Sequence, residues 1–307
     1  MTPIDYIIVA IYLMVVFYIG ISFRDKTSDF STFMIADRKV GLSLGVATML
    51  GTELGLITVM YNAQNGVLNH FSAFHIGLIA SIVTLFIGMT GIVVVKLREL
   101  RVKSIPEYYE YRFGKNVRIL GAIILALGGI LNMGLFLKVG AIFLQGILGI
   151  GVEGALPIIM VVLLILVLIY TTLGGMISVI ITDYIQFVIL SFGLMLSVIF
   201  SIYHLGWSNI FSSLESIVDN SDIIYNPVKS KGGFYITWQV VLGFVSAVIW
   251  PTAITRALSL NSPNAVKKQY LWSSISFLIR FMIPCFLGIC AFIYFNGEVS
   301  NSLIMMP

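Results

Sequence analysis

The sequence predicts an all-α membrane protein, a polytopic bundle of transmembrane helices in which residues 1–307 form a single domain. Hydrophobic residues make up 59% of the chain and charged residues only 10%, which leaves too little polar surface for a soluble protein of this length. The apolar residues fall into runs of roughly 20, the length that crosses the hydrocarbon core of a bilayer. The first run follows an acidic residue, Asp5, and has no small-residue cleavage site, so we expect a retained helix and not a signal peptide.

Charged, glycine-rich or proline-rich breaks divide the apolar sequence into eight predicted spans. The spans are residues 5–23, 41–65, 72–95, 118–149, 154–173, 177–203, 236–255 and 269–295. The longest break, residues 204–235, is polar and rich in asparagine and serine. It separates the first six predicted helices from the last two.

The distribution of basic residues orients the predicted bundle. Most of the 18 Lys and Arg residues fall in alternate loops, within residues 24–39, 96–118 and 256–268. Because cytoplasmic loops carry an excess of Lys and Arg, we expect these loops on the inner side of the cell membrane and both termini on the outer side. The net charge of +4 is thereby interpreted as membrane topology. The lipid bilayer is the expected partner, and nucleic acid is not.

Ionisable side chains inside predicted spans are the default functional candidates, because each costs roughly 2.5 to 3.5 kcal/mol on insertion scales. The sequence has four of them: Glu53, Lys138, Asp183 and Arg280. The alternative for each is a polar group that only joins helices. For Lys138, a side chain that extends to the membrane surface is the favoured interpretation.

The second span carries a pattern typical of a broken helix. Glu53 stands between Gly51 and Gly55, and the same span ends in a polar stretch that includes Asn62 and Gln64. An unwound helix frees carbonyl oxygens, which suit an alkali cation, and such breaks occur at membrane depth where they line a cavity or are buried in protein. Glu53, Asn62 and Gln64 are therefore candidate substrate-binding residues. A helix-packing face of small residues is the alternative.

The side chains of Asp183 and Arg280 suit ligands of opposite charge. Asp183 lies near the predicted cytoplasmic end of the sixth span, where its carboxylate could hold a cation or a proton, or could be a hydrogen-bond partner between helices. The guanidinium of Arg280 stays charged and must face anionic groups, carbonyl groups or water. It would suit a carboxylate-bearing solute, and an ion pair with Glu53 or Asp183 is the alternative.

Four separated motifs resemble signatures of the solute:sodium symporter family. The cytoplasmic stretch 104–114 reads SIPEYYEYRFG, and the most specific motif combines YTTLGG at 170–175 with TDYIQ at 182–186. The sequence FMIADR at 33–38 and the sequence TRALS at 255–259 add support in the expected order. The resemblance covers essentially the whole chain.

This resemblance implies a leading helix followed by a five-plus-five inverted repeat, with solute and sodium bound midway at broken helices. In that register residues 1–40 are the leading helix and a cytoplasmic loop, and residues 41–203 are the first repeat. Residues 204–235 then form an outer loop, and residues 236–307 are the first two helices of the second repeat.

The resemblance also assigns roles to residues. Backbone carbonyls of the first repeat helix hold the main sodium ion in relatives, and the matching positions are Gly51 and Leu54. Asp183 matches an aspartate that serves a second cation site in some members. Glu53 falls where the proline symporter has a functional aspartate. Two further matches to the sugar-type members imply substrate contacts: Asn132 and Arg280.

The implied function is sodium-coupled symport of a small organic solute by alternating access, with a carboxylate-bearing solute favoured over a neutral sugar. Sodium is the coupling ion, and no other cofactor is expected. Family members continue for at least three more helices, one of which supplies hydroxyl ligands to sodium, so we expect this chain to hold only the carbonyl half of the main site. The alternative is a truncated, non-transporting membrane protein of the same fold, such as a sensor or scaffold. An enzyme is not expected, because the sequence shows no metal-spaced cluster, nucleophile motif or phosphate loop.

Overall fold

The computed structural model describes residues 3–22, 29–149, 154–218 and 221–298. Within them the regular structure is helical, apart from one bridge between Val40 and Leu260. Short 3-10 turns occupy Ala36–Arg38 and His70–Ala73. The helices are α1 (Pro3–Ser22), α2 (Phe30–Ile35), α3 (Leu42–Glu53), α4 (Leu56–Asn69), α5 (Phe74–Thr90), α6 (Val94–Glu99), α7 (Ile105–Phe113), α8 (Lys115–Leu148), α9 (Ala155–Leu205), α10 (Trp207–Ile217), α11 (Ser221–Tyr225), α12 (Pro227–Lys231), α13 (Gly233–Ile249), α14 (Pro251–Ser259) and α15 (Pro263–Tyr294).

All eight predicted spans coincide with helical segments, but several of their boundaries differ from the prediction, and the third span is interrupted between Thr90 and Val94. The second span is divided into α3 and α4. The predicted span 236–255 is also divided, because Trp250 leaves the helical conformation between α13 and α14. The fifth and sixth spans join in α9, where Gly175 alone adopts a non-helical conformation (φ 56°, ψ −159°).

Length and composition alone identify fewer membrane-crossing helices than eight. In the described part of the chain, four helices meet both criteria: Leu56–Thr90, Lys115–Leu148, Thr171–Leu205 and Pro263–Tyr294. The bent pair α13 and α14 makes a fifth if it counts as one span. Two shorter apolar helices, Tyr6–Ile19 and Ala155–Ile169, fall below the length criterion. Eight is therefore the number of spans that the sequence predicts, and eight membrane crossings remain a prediction.

The described residues form two compact units. The first contains residues 1–49, 93–185 and 251–266, and the second contains residues 50–92, 186–250 and 267–307, as far as each is described. In the first unit the backbone of Val40 pairs with the end of α14, since its N–H donates to Ser259 O (3.1 Å) and its carbonyl accepts from Asn261 N (3.0 Å). This pairing anchors the turn that follows α2.

The second unit shows that the polar break at 204–235 is largely helical, which the sequence analysis did not predict. Helices α10, α11 and α12 occupy most of it. The apolar faces of α10 and α11 pack on α15 around a buried cluster that includes Ile210, Leu214, Ile224, Ile289 and Ile293. Burial of this apolar surface holds the segment against α15.

Two glycines bring α4 and α15 into backbone contact inside the second unit. A Cβ atom added to Gly66 would lie 2.0 Å from the carbonyl oxygen of Cys285, and one added to Gly288 would lie 2.0 Å from the carbonyl oxygen of Ala63. Small residues allow this close approach in membrane proteins. The backbones of α4 and α15 can approach because Gly66 on α4 and Gly288 on α15 have no side chain at the two contact points.

We expect Gly66→Ala to destabilise the protein by about 1–3 kcal/mol or more, because a methyl group there forces two backbones apart. Thermal denaturation of the purified variant measures this effect. The matched control is Gly134→Ala on α8, where an added Cβ meets no atom within 4 Å, so the expected change is under about 1 kcal/mol. Equal stability of the two variants would contradict the proposed contact.

Candidate functional site

The break between α3 and α4 forms the first candidate region. Helix α3 ends at Glu53 and α4 begins at Leu56, with Gly55 in an extended conformation (φ −90°, ψ 170°). The carbonyl groups in the last turn of a helix have no N–H partner within that helix. Gly51 lies in this turn and Leu54 lies in the break itself, so both predicted carbonyl ligands stand where regular helical hydrogen bonding stops.

Side chains of α4 surround this break with polar atoms. Thr58 Oγ1 donates to the carbonyl oxygen of Glu53 (2.9 Å), and Asn62 Nδ2 donates to the carbonyl oxygen of Thr58 (2.6 Å). Asn62 is fully buried, and its Oδ1 has no hydrogen-bond partner among the described residues. A buried acceptor without a donor is costly, so Asn62 Oδ1 is an oxygen available to a cation or a hydrogen-bond donor.

Glu53 and Arg280 form an ion pair within the second unit. Arg280 Nη1 lies 3.0 Å from Glu53 Oε2, and both side chains are largely buried. The guanidinium also lies over the rings of Phe277 and Phe281, at 4.0 and 4.6 Å from their centroids. Glu53 and Arg280, which the sequence predicts separately as candidates, are therefore in direct contact. The pairing is the alternative that the sequence left open for Arg280.

A cavity of about 220 Å³ adjoins this ion pair. It is lined mostly by apolar side chains, including those of Leu50 and Leu54, together with Ser191, Ser276 and Arg280. Its polar groups are thus one guanidinium and two hydroxyls in an apolar wall. This composition is typical of a site for a small organic molecule.

Asp183 lies in a second polar cluster, inside the first unit. Its Oδ2 accepts a hydrogen bond from Thr48 Oγ1 (2.6 Å) and pairs with Arg256 Nη2 (3.2 Å). The exposed fractions of Asp183 and Arg256 are 7% and 8%. The buried carboxylate is therefore neutralised by a guanidinium of this same chain.

Sequence reasoning missed Thr48 and Arg256 as partners of Asp183. The charge distribution predicts Arg256 in a cytoplasmic loop, whereas the structure buries it on α14. Its partner lies 73 positions earlier in the chain. An arginine within a short apolar segment, TAITRALS, was the available signal of burial.

The remaining candidates lie on α4 and α8. Gln64 is half-buried on α4 in the second unit, and Asn132 is half-buried on α8 in the first. Lys138 is exposed on α8, and its extension to the membrane surface stays a prediction. In the part of the chain that the structure describes, no group of three or more His, Cys, Asp or Glu residues could hold a metal ion. A cation site built from carbonyl and hydroxyl oxygens needs no such group.

The sodium:solute symporter family model matches residues 33–303. The chain belongs to this family. The match includes all eight candidate site residues and confirms the family resemblance of the sequence motifs. Membership also confirms a multi-pass membrane protein, while the roles of individual residues in this symporter-family chain stay predictions.

Two relatives of this symporter-family chain illustrate the likeness. A putative sodium-dependent multivitamin transporter of Drosophila melanogaster is 24% identical over 332 residues, which cover 99% of this chain and 52% of that protein. The chain thus spans about half the length of that curated relative. A solved structure of a Na+-coupled sialic acid symporter, in a substrate-bound outward-open state with a novel Na+ site, has a TM-score of 0.86 at 19% identity. That likeness covers 100% of this chain and 66% of the other, and it confirms the helical transporter fold.

Proposed function

We propose that this chain carries out sodium-coupled symport of a small organic solute across the cell membrane by alternating access. The observation that carries the proposal is the break between α3 and α4, where the carbonyls of Gly51 and Leu54 fall outside regular helical hydrogen bonding. Membership of the sodium:solute symporter family supports the same assignment. Alternating access at broken helices then couples the ion to the solute.

The cluster at Asp183 supports a second sodium site. At this site Arg256 would compete with sodium for the carboxylate of Asp183. Sodium and the guanidinium would share Asp183 Oδ2, which already accepts from Arg256 and Thr48. An ion that binds one arrangement better than the other shifts the equilibrium between them by that difference in affinity. Sodium at Asp183 would therefore favour a state in which Arg256 has moved away. Loss of sodium would restore the ion pair.

For the solute, we propose a small molecule with an apolar body and one carboxylate, bound in the cavity beside Arg280. The cavity volume of about 220 Å³ lies below the roughly 300–1,000 Å³ of sites for drug-sized ligands. Because Arg280 is paired with Glu53, a solute carboxylate would exchange with Glu53 at the guanidinium. The polar residues Asn62 and Gln64, which belong to the same unit as Arg280, are proposed as further solute contacts.

Uptake into proteoliposomes tests the proposed function. The purified chain is reconstituted, and an inward gradient of sodium or potassium is imposed with radiolabelled monocarboxylates, amino acids or sugars outside. We expect accumulation of at least one carboxylate-bearing solute with sodium and none with potassium. If no solute accumulates, and sodium does not raise the thermal stability of the protein above that in potassium, the alternative of a non-transporting membrane protein replaces this proposal.

We also propose that both termini face outward, on the basis of the basic residues in alternate loops. Lys268 is exposed at the start of α15, and Lys229 is exposed on α12. In this orientation a membrane-impermeant amine reagent added to whole cells would label Lys229 and spare Lys268. The reverse labelling pattern would contradict the orientation.

A further inference from the structure

Three arginines of the first unit lie together, and no carboxylate of the described residues pairs with them. They are called the arginine cluster below: Arg38, Arg98 and Arg101. Arg38 Nη2 donates to the carbonyl oxygens of Arg101 and Val102, the latter at 3.4 Å. Arg98 Nε donates to the carbonyl oxygen of Leu260 (2.8 Å). These contacts fix the side chains, but carbonyl groups are neutral and leave three positive charges in one place.

The charges of the arginine cluster repel one another in a partly dehydrated setting. Arg98 exposes only 7% of its surface. Burial lowers the pKa of Arg98 below its usual value, and the nearby charges of Arg38 and Arg101 lower it further. An arginine stays protonated at neutral pH despite such a shift. The repulsion therefore persists and would be relieved by a bound anion.

Neighbouring acidic groups do not supply that anion. Within the described ranges, the ion pairs join other partners, and none joins a carboxylate to the arginine cluster. Asp37 pairs with Lys39, and Glu107 accepts the backbone N–H of Lys103 (2.5 Å). Arg38 Nε is buried and has no hydrogen-bond partner among the described residues. The site thus combines unneutralised charge with an unused donor.

We propose that the arginine cluster binds a phosphate oxyanion, supplied by the headgroup of an anionic membrane phospholipid. Guanidinium groups present planar forks of donors that match phosphate oxygens. The cluster lies in segments that the charge distribution predicts on the cytoplasmic side, where anionic lipids attract Lys and Arg with about 1 kcal/mol for each residue near the surface. Free phosphate presents the same oxygens to the guanidinium groups, but it is not concentrated at the membrane surface as lipid headgroups are.

Thermal stability in defined lipid tests the proposal. The purified protein is compared in nanodiscs of phosphatidylcholine alone and of phosphatidylcholine mixed with phosphatidylglycerol, and in detergent with and without inorganic phosphate. We expect phosphatidylglycerol to raise the midpoint of denaturation by about 2–4 °C and inorganic phosphate to raise it less. If inorganic phosphate raises the midpoint more than phosphatidylglycerol does, the arginine cluster binds free phosphate. That result would overturn the proposal that a lipid headgroup supplies the oxyanion.

Charge-removing variants decide whether the effect belongs to the arginine cluster. Arg98→Gln also removes the hydrogen bond to Leu260. Arg101→Gln is therefore the second variant, since Arg101 is exposed and its contact to Arg38 uses its backbone carbonyl. Both variants should lose most of the shift caused by phosphatidylglycerol. Lys268→Gln removes one exposed charge from the same predicted membrane side and should keep the shift. The absence of a shift in the wild type, or an equal loss in Lys268→Gln, would overturn the proposal.

Discussion

Replacing Asp183 by asparagine is expected to weaken sodium binding roughly 10- to 100-fold, the factor that corresponds to losing about 1.5–3 kcal/mol of charge-assisted interaction. The amide keeps the shape of the side chain but lacks the negative charge. A ligand that binds the folded state raises its stability in proportion to the logarithm of ligand concentration over Kd. The midpoint of thermal denaturation, measured over a range of sodium concentrations, therefore reports the change in affinity.

The variant Arg256→Gln should have the opposite effect on sodium affinity, because it removes the cation that pairs with Asp183. Its stability without sodium should fall, since a buried carboxylate is left without its partner, and the stabilisation by added sodium should exceed that of the wild type. Arg256→Lys retains a positive charge and should resemble the wild type more closely. If the sodium dependence is the same in Asp183→Asn, Arg256→Gln and the wild type, Asp183 has only a structural role.

The ion pair between Glu53 and Arg280 is expected to show strong energetic coupling. Removing one partner leaves a buried charge, so Glu53→Gln or Arg280→Leu alone should reduce the free energy of unfolding by about 3–5 kcal/mol. The double variant should be more stable than the sum of the single losses indicates, since neither charge remains. Unfolding in mixed detergent micelles, applied to all four proteins, measures this coupling.

The exposed pair of Asp222 and Lys229 provides the matched control for this cycle. Its side chains are 60% and 54% exposed, so the corresponding cycle should give a coupling under about 1 kcal/mol. Additive losses at Glu53 and Arg280 would show that the two side chains do not interact in the folded protein. The variant Glu53→Gln should also strengthen binding of a carboxylate-bearing solute, because it frees Arg280 from its internal competitor.

Local patterns in the sequence were sufficient to predict most helices and the first helix break. The apolar runs indicated where the helices lie. The two glycines that flank Glu53 indicated that the second span would be interrupted. The break at Trp250 was not predicted, although Pro251, which has no N–H for a helical hydrogen bond, marks it. The packing of the polar stretch 204–235 onto α15 was not predicted, although Ile210 and Leu214 stand four positions apart, the spacing of one helix face.

Candidate residues could be chosen from their cost in a membrane, but their partners could not. Glu53 and Arg280 are 227 positions apart, and Asp183 and Arg256 are 73 apart. Pairings of this kind depend on tertiary packing, which a single sequence does not encode in any local pattern. Arg256 was overlooked for a related reason, since its position after an apolar span suggested a solvated loop residue. The arginine cluster likewise brings together two chain segments, one with Arg38 and one with Arg98 and Arg101.

Equilibrium binding of radioactive sodium to the purified chain tests the central claim most directly. We predict saturable binding that unlabelled sodium displaces and potassium does not. Binding should weaken in Asp183→Asn and strengthen in Arg256→Gln. Absence of saturable binding, or equal displacement by potassium, would contradict the account of this chain as a sodium-coupled symporter.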